Sequence, residues 1–134
     1  MLHEVHRRVA DQFVPAKPDL ALVNDWHVVA FSRDVREGEL LPVRLLGEDL
    51  VAWRHEGKVC LWQDLCIHRG AQLSKGWVVD GTVVCPYHGW RYDCEAKCVL
   101  IPAHPDTPPP LAPSFASAKT RSTAEWSSWI MAAA

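Results

Sequence analysis

No apolar run in this 134-residue chain reaches the roughly 18 residues that a membrane-spanning helix needs, which excludes a helical membrane protein. The opening Met1-Leu2-His3-Glu4-Val5-His6-Arg7-Arg8 lacks the apolar core of a signal peptide, so a cytoplasmic location is expected. An excess of one charge is missing too. Fourteen basic residues against 16 acidic ones give a net charge of -2, no electrostatic reason to expect nucleic acid or an anionic membrane as partner. The cysteine count is odd, five at uneven spacing, which argues against a secreted disulfide framework and makes metal binding the better use for them. There is no internal repeat. Seven Trp and seven His stand out against an ordinary background of 49% hydrophobic and 22% charged residues, which excludes disorder, collagen and coiled coil and fits one globular domain.

Along the chain, Leu2, Val5, Val9 and Phe13 recur three or four residues apart, one face of a short helix within an N-terminal extension over residues 1–25. From Trp26 the texture changes to short Val-, Leu- and Trp-rich runs bounded by Gly-containing or acidic turns. Strands are predicted at 26–32, 42–46, 50–54, 59–63, 77–79, 82–84, 90–93 and 98–101. Turns are expected at Gly47-Glu48-Asp49, His55-Glu56-Gly57-Lys58 and Asp80-Gly81, the last a strong two-residue hairpin turn. Residues 26–101 therefore predict an all-β domain, a small antiparallel sandwich or barrel. Pro102 to Pro113 reads as an extended, proline-rich exit linker, and residues 114–134, mostly Ser, Ala and Thr, as an irregular tail.

The chemistry is concentrated in Cys66-Ile67-His68 and Cys85-Pro86-Tyr87-His88, both in predicted turns and separated by sixteen residues. Each puts one thiolate and one imidazole on a single loop, and two such loops from neighbouring hairpins can close on a metal centre from opposite sides. Two centres accept those donors. A structural zinc takes two Cys and two His, but usually as a Cys-Cys knuckle and a His-His pair from different elements. One donor of each kind on both loops suits a two-iron cluster better, because in a Rieske [2Fe–2S] centre one iron takes two Cys and the other two His.

Cys66-Ile67-His68-Arg69-Gly70-Ala71 and Cys85-Pro86-Tyr87-His88-Gly89-Trp90-Arg91-Tyr92 resemble the two cluster-binding boxes of the Rieske domain of ring-hydroxylating oxygenases. Trp26-His27-Val28-Val29, the stretch Leu46 to Arg54, Gly76 and Ile101-Pro102-Ala103 are similar to the framework around those boxes, so the resemblance covers about residues 20 to 110. It implies an all-β Rieske-type fold with Cys66 and Cys85 on the buried iron and His68 and His88 on the iron nearer the surface. It also implies a ferredoxin or flavin reductase as electron donor and, as acceptor, a mononuclear iron held by two His and one carboxylate in a catalytic domain. Residues after Pro113 hold no His, Asp or Cys, so that second iron site is expected to be missing from this chain.

The related cytochrome-complex Rieske proteins carry two disulfide cysteines at positions matching Ala71 and Tyr87, and a sulfur-bonding Ser matching Trp90. Their replacement implies a potential at the low end of the Rieske range, near roughly -150 mV. The reading is thus an electron-transfer domain of an oxygenase subunit, with a free-standing Rieske ferredoxin and a structural zinc module as alternatives. Of the other candidates, Cys60 reads as a small core residue, Cys94 and Cys98 as free thiols, and His3, His6 and His104 as solvated. Trp90 is expected to wall the cluster, and Arg69 is either a docking contact or merely solvated. One more expectation concerns the tail. Re-read one frame along, the codons for Glu125-Trp126-Ser127-Ser128-Trp129 can encode a continuous apolar strand, so residues 114–134 are read as a frame-shifted remnant.

Overall fold

The computed structural model describes residues 25–109, 119–122 and 129–133. Among them are ten short strands and no α-helix: β1 (Trp26–Phe31), β2 (Leu40–Leu45), β3 (Glu48–His55), β4 (Lys58–Gln63), β5 (Trp77–Val79), β6 (Thr82–Val84), β7 (Arg91–Tyr92), β8 (Cys98–Leu100), β9 (Lys119–Ser122) and β10 (Trp129–Ala133). The helix expected between Leu2 and Phe13 lies outside the described residues. Among those that are described, no helix is long and apolar enough to cross a membrane.

The strands pair antiparallel in three sheets, ordered β1-β10-β9, β2-β3-β4 and β5-β6-β7-β8. Side chains alternate between the faces of a strand, and the central sheet is covered on both. Val51, Trp53, Cys60 and Trp62 pack with Cys66, Leu73, Val83, Cys85 and Tyr92 on the side of the β5–β8 sheet. Leu50, Ala52, Val59 and Leu61 pack with Val35 and Leu45 on the opposite side, joined by Val29 and Ala30 of β1. Double coverage explains why Leu50-Val51-Ala52-Trp53 and Val59-Cys60-Leu61-Trp62 are unbroken apolar runs rather than alternating ones. Trp53 and Trp62, both fully buried, meet edge to face with ring centroids 5.5 Å apart, and truncating either to Ala should cost about 3 to 5 kcal/mol.

The hairpin turn at Asp80–Gly81 is as expected, with φ of 48° and 68° at its two central positions. The first hairpin differs from expectation. Its turn is Leu46–Gly47, closed by the Leu45↔Glu48 pair, so Glu48 and Asp49 belong to β3. Two-residue turns of this kind need left-handed backbone at both central positions; Gly47 adopts it freely, and Leu46, with φ of 48°, takes the other position outside the strand and exposed.

Two further expectations are corrected after β8. The proline-rich stretch is not extended over its described part: His104 N–H bonds the Ile101 carbonyl and Thr107 N–H the His104 carbonyl, making two successive turns with Pro102 and Pro105 at their second positions. Proline's fixed φ favours that position in a turn. The tail is not irregular throughout. β10 pairs with β1 from Trp26↔Ala133 to Phe31↔Trp129, and β9 with β10 from Ile130↔Ser122 to Ala133↔Lys119. The edge of β1 carries backbone groups that need partners, and a strand can supply them whatever its side-chain pattern. The frame-shifted reading of Glu125–Trp129 falls on residues that, up to Ser128, lie outside the described ones.

Candidate metal centre

The two Cys/His boxes occupy loops with one backbone design. In the first, Cys66 N–H bonds the Ala71 carbonyl at 2.7 Å and Gly70 N–H returns to the Cys66 carbonyl at 2.8 Å. In the second, Cys85 N–H bonds the Trp90 carbonyl at 2.9 Å and Gly89 N–H returns to the Cys85 carbonyl at 3.0 Å. Each cysteine therefore bonds the residue five places on, and a glycine four places on closes the turn with φ of 73° or 74°, a conformation that disfavours any residue with a Cβ. The histidine sits at the second residue after the cysteine in one loop and the third in the other. Their surroundings differ. The second loop joins β6 to β7 within one sheet, whereas the first leaves β4 of the central sheet and enters β5 of the next.

The four predicted donors come together as two unlike pairs. Cys66 and Cys85 are buried, and their thiols contact each other. Burial pushes the Cys85 thiol up, as does the Cys66 contact, while the backbone N–H groups of Tyr87 and His88 bond its sulfur and pull the other way. Nearer the surface, His68 Nδ1 and His88 Nδ1 are 3.1 Å apart, with the rings nearly perpendicular. Desolvation, then His88 and Arg69, hold His68 below its usual value, favouring the neutral imidazole that a metal ligand must be. Trp90 stacks flat on His68 at 4.5 Å between centroids and 12° between planes, and Tyr87 meets His88 edge to face at 4.4 Å. Trp90 thus has the walling position expected of it, and Arg69 is exposed.

A single zinc needs its donors around one point, and among the described residues no three of His, Cys, Asp or Glu gather in that way. Two thiols on the inside and two imidazoles on the outside fit the mixed ligation of a two-iron cluster. The sequence profile of the Rieske [2Fe–2S] domain matches residues 25–116. This chain belongs to the Rieske [2Fe–2S] domain family. Membership brings with it a [2Fe–2S] cluster as cofactor. The Rieske domain is 37% identical over 92 residues to the oxidoreductase NdmD of Pseudomonas putida, an alignment covering 67% of this chain and 16% of that protein. It is 41% identical over 85 residues to a chlorophyllide a oxygenase of Chlamydomonas reinhardtii, covering 63% of this chain and 13% of that one. The solved structure of dicamba monooxygenase bound to dicamba superposes with a TM-score of 0.75 at 30% identity, covering 84% of this chain and 34% of that one. The chain thus spans about a third or less of each of these relatives.

Two features were missed from sequence. The fully buried Tyr92 puts its hydroxyl 3.1 Å from Cys66 Sγ. Burial raises the Tyr92 hydroxyl far above its usual range, so it keeps its proton and has one to offer to a cysteine thiolate. Tyr92 is thus a hydrogen-bonding group at a predicted ligand sulfur that the expectation of a low potential, drawn from the replaced disulfide cysteines and Ser, left out. A buried tyrosine needs a partner for its hydroxyl, and that was the available signal. The second is a disulfide between Cys60 and Cys94. It corrects the reading of Cys60 as a plain core residue and of Cys94 as a free thiol, while Cys98 is free as expected. The pairing depends on β4 packing beside the Asp93–Lys97 turn, 34 residues apart, which composition and redox compartment do not report. A Lys58–Glu95 ion pair at 3.0 Å lies next to it.

Proposed function

We propose that Cys66 and Cys85 hold the inner iron and His68 and His88 the outer one, and that the domain is the electron-transfer module of an aromatic-ring-hydroxylating oxygenase. In this reading it takes electrons from a ferredoxin or flavin reductase and passes them toward a mononuclear iron in a catalytic domain, in the cytoplasm. When bound, the cluster supplies one-electron storage. The chain's own residues do the rest. The buried thiols keep their end away from water; Tyr92 and the N–H groups of Tyr87 and His88 offer hydrogen bonds to the two sulfurs, and such bonds favour the reduced state. Trp90 and Tyr87 fix the ring planes of the two histidines, leaving the imidazoles as the route by which electrons cross the surface.

The observation that carries this reading is the 3.1 Å pairing of the two Nδ1 atoms above the buried thiol pair. The oxygenase names among the relatives support the oxygenase setting over a free-standing ferredoxin. The purified chain should be red-brown, carry about two irons and two acid-labile sulfides and give the spin-resonance signal of a mixed-ligand cluster. A colourless protein with one zinc refutes it. His68→Cys should lower the potential toward that of an all-cysteine ferredoxin, near roughly -400 mV, and an unchanged potential removes His68 from the ligand set. The chain alone should accept electrons from a reductase and consume no oxygen with aromatic substrates. Substrate-dependent oxygen consumption would mean a catalytic site within it.

A further inference from the structure

Asp64 is the one polar or charged residue among the described residues that is buried, at 5% exposure. A carboxylate in that position is costly unless hydrogen bonds replace its water. Both replacements come from a single residue ten places along: Ser74 N–H bonds Asp64 Oδ1 at 2.6 Å, and the Ser74 hydroxyl bonds Oδ2. None of the ion pairs among the described residues includes Asp64. Its own N–H is tied to the Asp49 carbonyl at 2.9 Å, at the start of β3.

The location gives these bonds their meaning. Residues 65–73, enclosed by the pair, include Cys66 and His68. Their entry belongs to the central sheet and their exit to the β5–β8 sheet, so no strand ladder closes the segment. Ser74 lies in the 3-10 turn Leu73–Lys75, which has no side-chain cap from its own N-cap residue, Gln72; Asp64 occupies one of the turn's free N–H groups from across the loop. The turn ends at Gly76, which lies so close to the carbonyl of Val84 that an added Cβ would stand 1.9 Å from its oxygen. Val84 precedes Cys85. A continuous path of bonds and contacts therefore runs from Asp64 through Ser74, Gly76 and Val84 to the second loop.

We infer that Asp64 is a positioning residue for the cluster: its clasp on Ser74 fixes how the first ligand loop is presented to the second. The inference rests on the ligand set proposed above. It predicts effects on the metal centre beyond those on the fold, carried by the hydrogen bonds and not by the charge. In the full cluster-loaded chain, Asp64→Ala should release iron to a chelator about ten- to a hundredfold faster than wild type, with an altered g-anisotropy in the reduced spin-resonance spectrum. Asp64→Asn should restore both, since its amide can accept from Ser74 N–H and donate to Ser74 Oγ. Ser74→Ala, which keeps the backbone half of the clasp, should lie between. If Asp64→Ala does not fold, Ser74→Ala decides: faster release and an altered spectrum at an unchanged unfolding temperature support the inference, and wild-type values overturn it. Asn behaving as badly as Ala also overturns it, because charge would then be the cause. His68→Ala run in parallel separates the two readings. A wild-type spectrum in that variant means that the ligand set is wrong, whereas an altered one beside wild-type clasp variants removes only the role given to Asp64.

Discussion

The two ligand loops share a backbone turn, a glycine in the same conformation and one thiol and one imidazole each, yet they are supported in different ways. The second is the end of a hairpin, held by the Val84↔Arg91 pair at its base. The first spans two sheets and is held by one side chain, one 3-10 turn and a glycine pressed on a neighbouring carbonyl. A common local geometry can thus be met by a ladder in one place and by side-chain bonds in another. What differs is the residues on which each loop's position depends.

Equivalence of the loops is tested most severely at their cysteines. Cys66→Ser and Cys85→Ser should each abolish cluster assembly and destabilise the fold, read as iron and sulfide content and thermal unfolding; full iron in either variant would break the equivalence. Next in size is the tie shared by both loops. Replacing Cys60 and Cys94 together by Ala removes a crosslink across 34 residues, which should cost about 3 to 4 kcal/mol in denaturant unfolding. The loops should then part company. Gly76→Ala at the base of the first drives a methyl group into the Val84 carbonyl and should cost about 2 kcal/mol, while Tyr87→Ala at the exposed tip of the second should cost no more than about 0.5 kcal/mol. Equal losses would show that support is shared.

A smaller effect crosses between the loops, because Tyr92 follows the second loop and bonds the sulfur of the first. Tyr92→Phe should lower the reduction potential by the worth of one hydrogen bond, about 1 kcal/mol or on the order of 40 mV for one electron, measured by redox titration. The smallest effect belongs to the exposed Lys58–Glu95 pair beside the disulfide. Its hydrogen bond from Lys58 holds the Glu95 carboxyl below the usual range in the folded state. That contribution is present above the ordinary carboxyl pKa and is lost as pH falls through the depressed one. Lys58→Met should therefore lower the unfolding temperature slightly at pH 7, and the difference from wild type should vanish in acid.

What could be read from sequence followed from local pattern. β5 and β6 lie where Val-rich triplets flank Asp80-Gly81, and the side chains of Cys-x-His and Cys-x-x-His come together in a thiol pair and an imidazole pair. The features that escaped depend on contacts between distant residues. Tyr92 and Cys66 are 26 residues apart and Cys60 and Cys94 are 34 apart, so neither pairing leaves a periodic trace. Asp64 and Ser74 are only ten apart, but nothing in either residue type announces a burial created by two sheets meeting. β9 and β10 escaped for another reason: Lys119–Ser122 is polar, and its strand conformation comes from backbone pairing beside β1, which outweighs weak propensity.

The Cys60–Cys94 disulfide also makes the segment between them a covalent ring that contains all four proposed metal donors. A protease cutting once at the exposed Asp80–Gly81 turn would leave Cys66 and His68 on one fragment and Cys85 and His88 on the other, with Cys60 on the first and Cys94 on the second. On a denaturing gel the nicked protein should migrate as one species without reductant and as two with it, so electrophoresis alone can reveal whether the ring is closed in protein taken from the cell.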